Sequence, residues 1–63
     1  MEYTFDYLDN EMNSIFESKK ECENDDQAKQ LAKNLFANSM QNDLYAIEVR
    51  YYTGYGYSFF FIN

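Results

Sequence analysis

The groups in this 63-residue chain that could do chemistry are carboxylates, one thiol and many phenols; histidine is absent. Without histidine there is no Ser-His or Cys-His pair to activate a nucleophile. Cys22 is the sole cysteine, and its neighbours Glu21 and Glu23 are negative, which disfavours the thiolate a nucleophile needs. One cysteine makes no internal disulfide and, with no histidine, no multi-ligand zinc site. The run Glu21-Cys22-Glu23-Asn24-Asp25-Asp26 is the densest set of oxygen ligands. It lacks the alternating ligands and central glycine of a calcium loop, and reads better as a helix start. Paired carboxylates can act as acid and base, but these acids fall on turns and a helix start rather than in a cleft. The expectation is a chain that is not an enzyme and carries no cofactor or metal.

A second motif lies near the end. Thr53-Gly54-Tyr55-Gly56-Tyr57-Ser58-Phe59-Phe60 resembles the RNP1 signature of RNA-recognition motifs, domains that stack bases on sheet aromatics. The resemblance covers eight residues and departs at two. Thr53 stands where a phosphate-pairing base belongs, and Ser58 where an aliphatic belongs. Nucleic-acid affinity rests on phosphate neutralisation, whereas this chain carries a net charge of −6. Hairpin glycines and strand alternation account for the match, so no direct nucleic-acid binding is expected.

The charge is unevenly spread. Residues 1–26 hold nine acids against Lys19 and Lys20, whereas residues 27–63 hold Asp43 and Glu48 against Lys29, Lys33 and Arg50. Eight of the thirteen aromatics lie between Tyr45 and Asn63. A chain of this length is expected to form one domain, 1–63, of marginal stability. With disulfide and metal excluded, aromatic packing and self-association remain as stabilisers. The lone thiol, the absence of a basic-then-apolar leader and the lack of a long apolar run point to the cytoplasm and away from a membrane. The richness in Asn, Lys, Tyr and Phe is common where genomes are rich in A and T, a hint of a bacterium, phage or plasmid.

Five elements are expected to position these groups. Ala28, Leu31, Ala32, Leu35, Phe36 and Met40 form one helical stripe, predicting a helix over 25–39. Asn24 is its N-cap, Gln27 completes a capping-box pattern, and Asp25 and Asp26 favour the positive end of the helix dipole. Tyr3, Phe5 and Tyr7 alternate with polar residues, predicting a strand over 2–8 followed by a turn at 9–11. Residues 12–23 read either as an edge strand, with Ser14, Phe16, Ser18, Lys20 and Cys22 on one side, or as a short helix; the strand is preferred. Strands are predicted over 44–52, with Tyr45, Ile47, Val49 and Tyr51 toward the helix, and over 57–62. Gly54 and Gly56 supply positive φ for the hairpin between them. The order is ββαββ, alternatively βααββ: a small α+β two-layer domain with one helix on an antiparallel sheet.

The last strand is apolar on both faces. A two-residue turn at Gly54-Tyr55 opposes Tyr52 to Tyr57, Arg50 to Phe59 and Glu48 to Phe61, leaving Tyr57, Phe59 and Phe61 away from the helix. A loop one residue different would reverse the set. One helix covers one face, so aromatics remain on the other in either register. Their cover would be a second copy, a foreign protein or the chain's own N-terminal segment. The expected role is a small acidic protein-binding module and homodimer. In size, charge and aromatic surface it resembles small phage-encoded inhibitors that imitate nucleic acid to block a host or defence nucleic-acid enzyme, although no motif is shared. Glu21, Glu23, Asp25 and Asp26 would serve as phosphate imitators, and Glu48, Tyr52, Tyr57, Phe59 and Phe61 as the contact face. The alternative is a self-associating structural or regulatory small protein without a nucleic-acid connection.

Overall fold

The computed structural model describes residues 1–63 as four antiparallel strands in one sheet and one helix. The elements are β1 (Glu2–Leu8), β2 (Ser14–Glu21), α1 (Asp25–Ala37), β3 (Ala46–Tyr52) and β4 (Tyr57–Ile62). The sheet order is β2-β1-β3-β4. Both β2 and β3 run antiparallel to β1, so they run parallel to each other. The helix is therefore the crossover that carries the chain over β1, as parallel strands require.

Residues 14–21 form the strand alternative, not the helical one. The turn before it is closed by Asp9, whose Oδ1 accepts from the amides of Glu11 at 2.9 Å and Asn13 at 2.8 Å. Ser14 does not share a side with Phe16 as alternation requires. A bulge shifts the register, so Tyr7 faces Phe16 while Leu8 faces Ser14. The extra residue, Ile15, turns Ser14 to the other face, where its hydroxyl donates to Asp6 Oδ1.

The helix begins as expected: Asn24 has extended backbone and its Oδ1 accepts from the Gln27 amide at 2.9 Å. The Gln27 side chain reaches one residue further back than a capping box, accepting from the Glu23 amide. The helix ends at Ala37 rather than Ser39, with the Asn38 side chain donating to the Asn34 carbonyl at 2.9 Å. Met40 thus falls off the apolar stripe and is 93% exposed.

The core lies between helix and sheet. Tyr3, Phe5, Ile47 and Val49 meet Cys22, Ala28 and Ala32, all fully or nearly fully buried. Ala28 and Ala32 are one turn apart, so small side chains let the helix backbone sit close to the sheet. Leu31, Leu35, Phe36, Tyr51, Phe60 and Ile62 pack around them, partly buried. The helix packs on β3 and β4, and the same side of β2 is uncovered: Phe16 is 55% exposed, resting edge-on against Tyr7. β3 starts at Ala46, two residues later than expected, so Tyr45 is exposed rather than turned to the helix. Its amide still donates to the Leu8 carbonyl at 2.8 Å.

The β3–β4 hairpin has the two-residue Gly54-Tyr55 turn. The Thr53 amide donates to the Gly56 carbonyl at 2.8 Å, and Tyr52 faces Tyr57, Arg50 faces Phe59 and Glu48 faces Phe61. Of the two hairpin glycines, only Gly54 has positive φ, at 96°. Gly56, whose carbonyl accepts from the Thr53 amide, closes the turn just before β4 without it.

Candidate interaction surface

The strand pairings place the outward residues in rows across the sheet. Glu21 and Glu2 lie in line with Tyr52 and Tyr57 at one end. Next come Lys19, Thr4, Arg50 and Phe59, then Glu17, Asp6, Glu48 and Phe61. The face is charged over β1 and β2 and aromatic over β4. Tyr52, Tyr57, Phe59 and Phe61 are 57%, 77%, 58% and 44% exposed. The N-terminal segment is built into the sheet as β1 and β2 and does not cover them.

These four aromatics form two touching pairs. The rings of Tyr52 and Tyr57 are 5.3 Å apart and those of Phe59 and Phe61 are 5.7 Å apart, both edge-to-face. That arrangement suits the quadrupoles of the rings and holds the side chains in place. Beside them, a hollow of about 230 Å³ is bordered by Thr4, Lys19, Arg50, Tyr52 and Tyr57.

Arg50 anchors the centre of the face. Its guanidinium lies 3.1 Å from Asp6, 2.9 Å from Glu17 and within hydrogen-bond reach of Glu48. Burial opposes its charge, but the hydrogen bonds it donates to Glu48, Asp6 and Glu17 outweigh burial, and its pKa is raised. One cation thereby serves three strands, and Glu48 is bound inside this network rather than free at the surface.

The four acids before and within the helix start are not equivalent. Glu21, Glu23 and Asp26 are exposed, whereas Asp25 is half-buried. Asp25 accepts from the Tyr3 hydroxyl through Oδ1 and from the Tyr51 hydroxyl through Oδ2, each at 2.8 Å. Glu21 lies 2.9 Å from the Met1 amino group. Glu2, Glu23 and Asp26 make no ion pair, and they stand at the same end of the sheet as Tyr52 and Tyr57.

Sequence reasoning missed the parts played by Asp6 and Glu17 around Arg50, and by Tyr3 and Tyr51 around Asp25. The β1–β3 register was the signal required: Thr4 opposite Arg50 sets Asp6 diagonally beside it. No group of three or more His, Cys, Asp or Glu side chains is arranged to hold a metal ion, and no helix is long and apolar enough to cross a membrane. The chain matches no known protein family, no curated protein and no solved structure.

Proposed function

We propose that this chain is a non-enzymatic protein-binding module whose contact surface is the outward face of β3 and β4. The observation that carries the reading is the contiguous set Tyr52, Tyr57, Phe59 and Phe61, uncovered on the face opposite the helix. Exposed aromatic clusters with a polar rim characterise interaction sites, and tyrosine is frequent among residues that dominate binding energy. The hollow between Arg50, Tyr52 and Tyr57 lies directly beside these rings.

The acids specify the partner's charge. Glu2, Glu23 and Asp26 are unpaired at the Tyr52 end of the sheet, in a chain of net charge −6. A basic protein surface complements that rim. The finer form of the reading is inhibition of a nucleic-acid enzyme, with these carboxylates occupying positions where it receives phosphates.

The test is capture of binding proteins from a bacterial lysate with wild type, with Tyr52→Ala/Phe59→Ala and with Glu21→Lys/Glu23→Lys/Asp26→Lys. Asp25 and Glu48 are left intact, since both hold the fold. The reading requires a basic protein that is lost by both variants and binds more weakly as salt rises. Its finer form requires that duplex DNA displace the chain from that protein. Retention by the aromatic variant would refute the surface; simultaneous binding of DNA and chain would refute the imitation of nucleic acid.

A further inference from the structure

We propose that β4 pairs edge to edge with β4 of a second copy, about a two-fold axis through Phe59, to make one continuous eight-stranded sheet. This goes beyond the partner surface above, because it uses backbone groups on the strand's edge and leaves the aromatic face open.

β4 is an edge strand, bonded to β3 on one side only. Hydrogen-bonded and non-bonded pairs alternate along an antiparallel ladder. The Thr53 amide bonds to the Gly56 carbonyl, so Gly56 begins the bonded series and Ser58, Phe60 and Ile62 continue it. Tyr57, Phe59 and Phe61 occupy the alternate positions, and their N–H and C=O groups point away from β3. The free backbone groups of the edge therefore belong to the residues whose rings stand on the outward face.

This row is complementary to itself. With Phe59 opposite Phe59 of the second copy, Tyr57 opposes Phe61 and Phe61 opposes Tyr57. Every outward N–H and C=O then meets its complement, as an isologous two-fold contact requires. Directly opposed residues project to the same face, so the aromatics of the two copies join in one stripe and both helices lie on the other face.

Charge selects this edge and this occupant. Tyr51 to Asn63 contains no charged side chain, so two copies of net charge −6 meet where side-chain repulsion is least. The acids of β1 and β2 lie toward the opposite edge of the sheet. That edge, β2, carries Glu17, Lys19, Lys20 and Glu21, the charged pattern that keeps edges from pairing. β4 has neither charge nor proline nor bulge. A contact along one six-residue strand lies at the small end of specific interfaces, below about 1,200 Å², so the dimer is reversible and depends on concentration.

Amide hydrogen exchange across a dilution series, with sedimentation on the same samples, tests the pairing. Where the mass doubles, the Tyr57, Phe59 and Phe61 amides must gain protection together, while Ser58, Phe60 and Ile62 stay protected throughout. A synthetic chain with N-methyl Phe59 removes one outward donor, sparing the β3 ladder and the side chain, and must lose the dimer. Phe59→Lys sets like charges together at the axis and must lose it too. A monomer at every concentration up to about millimolar, the weakest range of specific affinity, overturns the proposal. So does a dimer that leaves the three amides unprotected or survives N-methylation. Protection of these amides by a foreign protein on a chain that stays monomeric would assign the edge to that protein and equally overturn pairing between copies.

Discussion

Tyr3 and Asp25 are joined by a hydrogen bond of 2.8 Å from the phenol hydroxyl to Oδ1, which ties the first strand to the first turn of the helix. Tyr51, its ring centroid 5.0 Å from that of Tyr3, donates to the other oxygen. An acid suited by sequence to the helix dipole thus also locks the helix onto β1 and β3.

This contact sets an alkaline limit. Burial and then the Asp25 hydrogen bond raise the Tyr3 pKa from 10.0 to about 12. Tyrosine loses its proton in the unfolded chain first, so between those pH values the unfolded state binds fewer protons and stability falls as pH rises. The contribution is fully present below pH 10 and is lost through pH 12. Burial raises Tyr7 as well and adds in the same direction. Denaturant midpoints across this window should fall steeply for wild type and less steeply for Tyr3→Phe.

Arg50 should matter more than its partial exposure suggests. Arg50→Ala leaves Asp6, Glu17 and Glu48 facing one another, with the Asp6 side chain only 9% exposed. The cost at pH 7 should be about 2–4 kcal/mol, below the full penalty for breaking a buried pair because Arg50 is partly solvated. Urea melts of wild type and Arg50→Ala at pH 7 check the cost.

The helix–sheet contact should tolerate no added bulk. Ala32 has no exposed surface, and Ala32→Leu should cost about 1–3 kcal/mol by forcing the helix off the sheet. Ile47→Ala empties a fully buried site and should cost about 2–5 kcal/mol. Leu35→Ala should cost less than Ile47→Ala, since Leu35 is half-buried at the flank. Thermal melting of the three variants gives the order directly.

The aromatic face should be dispensable for folding. Tyr57→Ser and Phe59→Ser remove rings that are mostly exposed, so each should change stability by no more than about 1 kcal/mol. A larger loss in chemical denaturation would mean that the rings hold the sheet together instead of serving a contact.

Short-range physics made much of the fold legible. The alternation of Tyr3, Phe5 and Tyr7 fixed β1, because side-chain period is local. Asn24 and the stripe from Ala28 to Phe36 located the helix for the same reason. The register of Tyr52 against Tyr57, by contrast, stayed open between two loop lengths, and only the structure selects the Gly54-Tyr55 turn. The helix end, the bulge at Ile15 and the late start of β3 were not legible. They depend on where the chain must be to close its loops, and apolar pattern alone does not encode that. The acidic character of residues 1–26 was plain in the sequence, but the fate of each acid was not. Only the placement of β3 beside β1 brings Arg50 to Asp6 across 44 residues, and only the helix crossover brings Asp25 to Tyr3 and Tyr51. Those contacts join segments far apart in the chain, so their free energy appears only when the whole sheet and its helix have assembled.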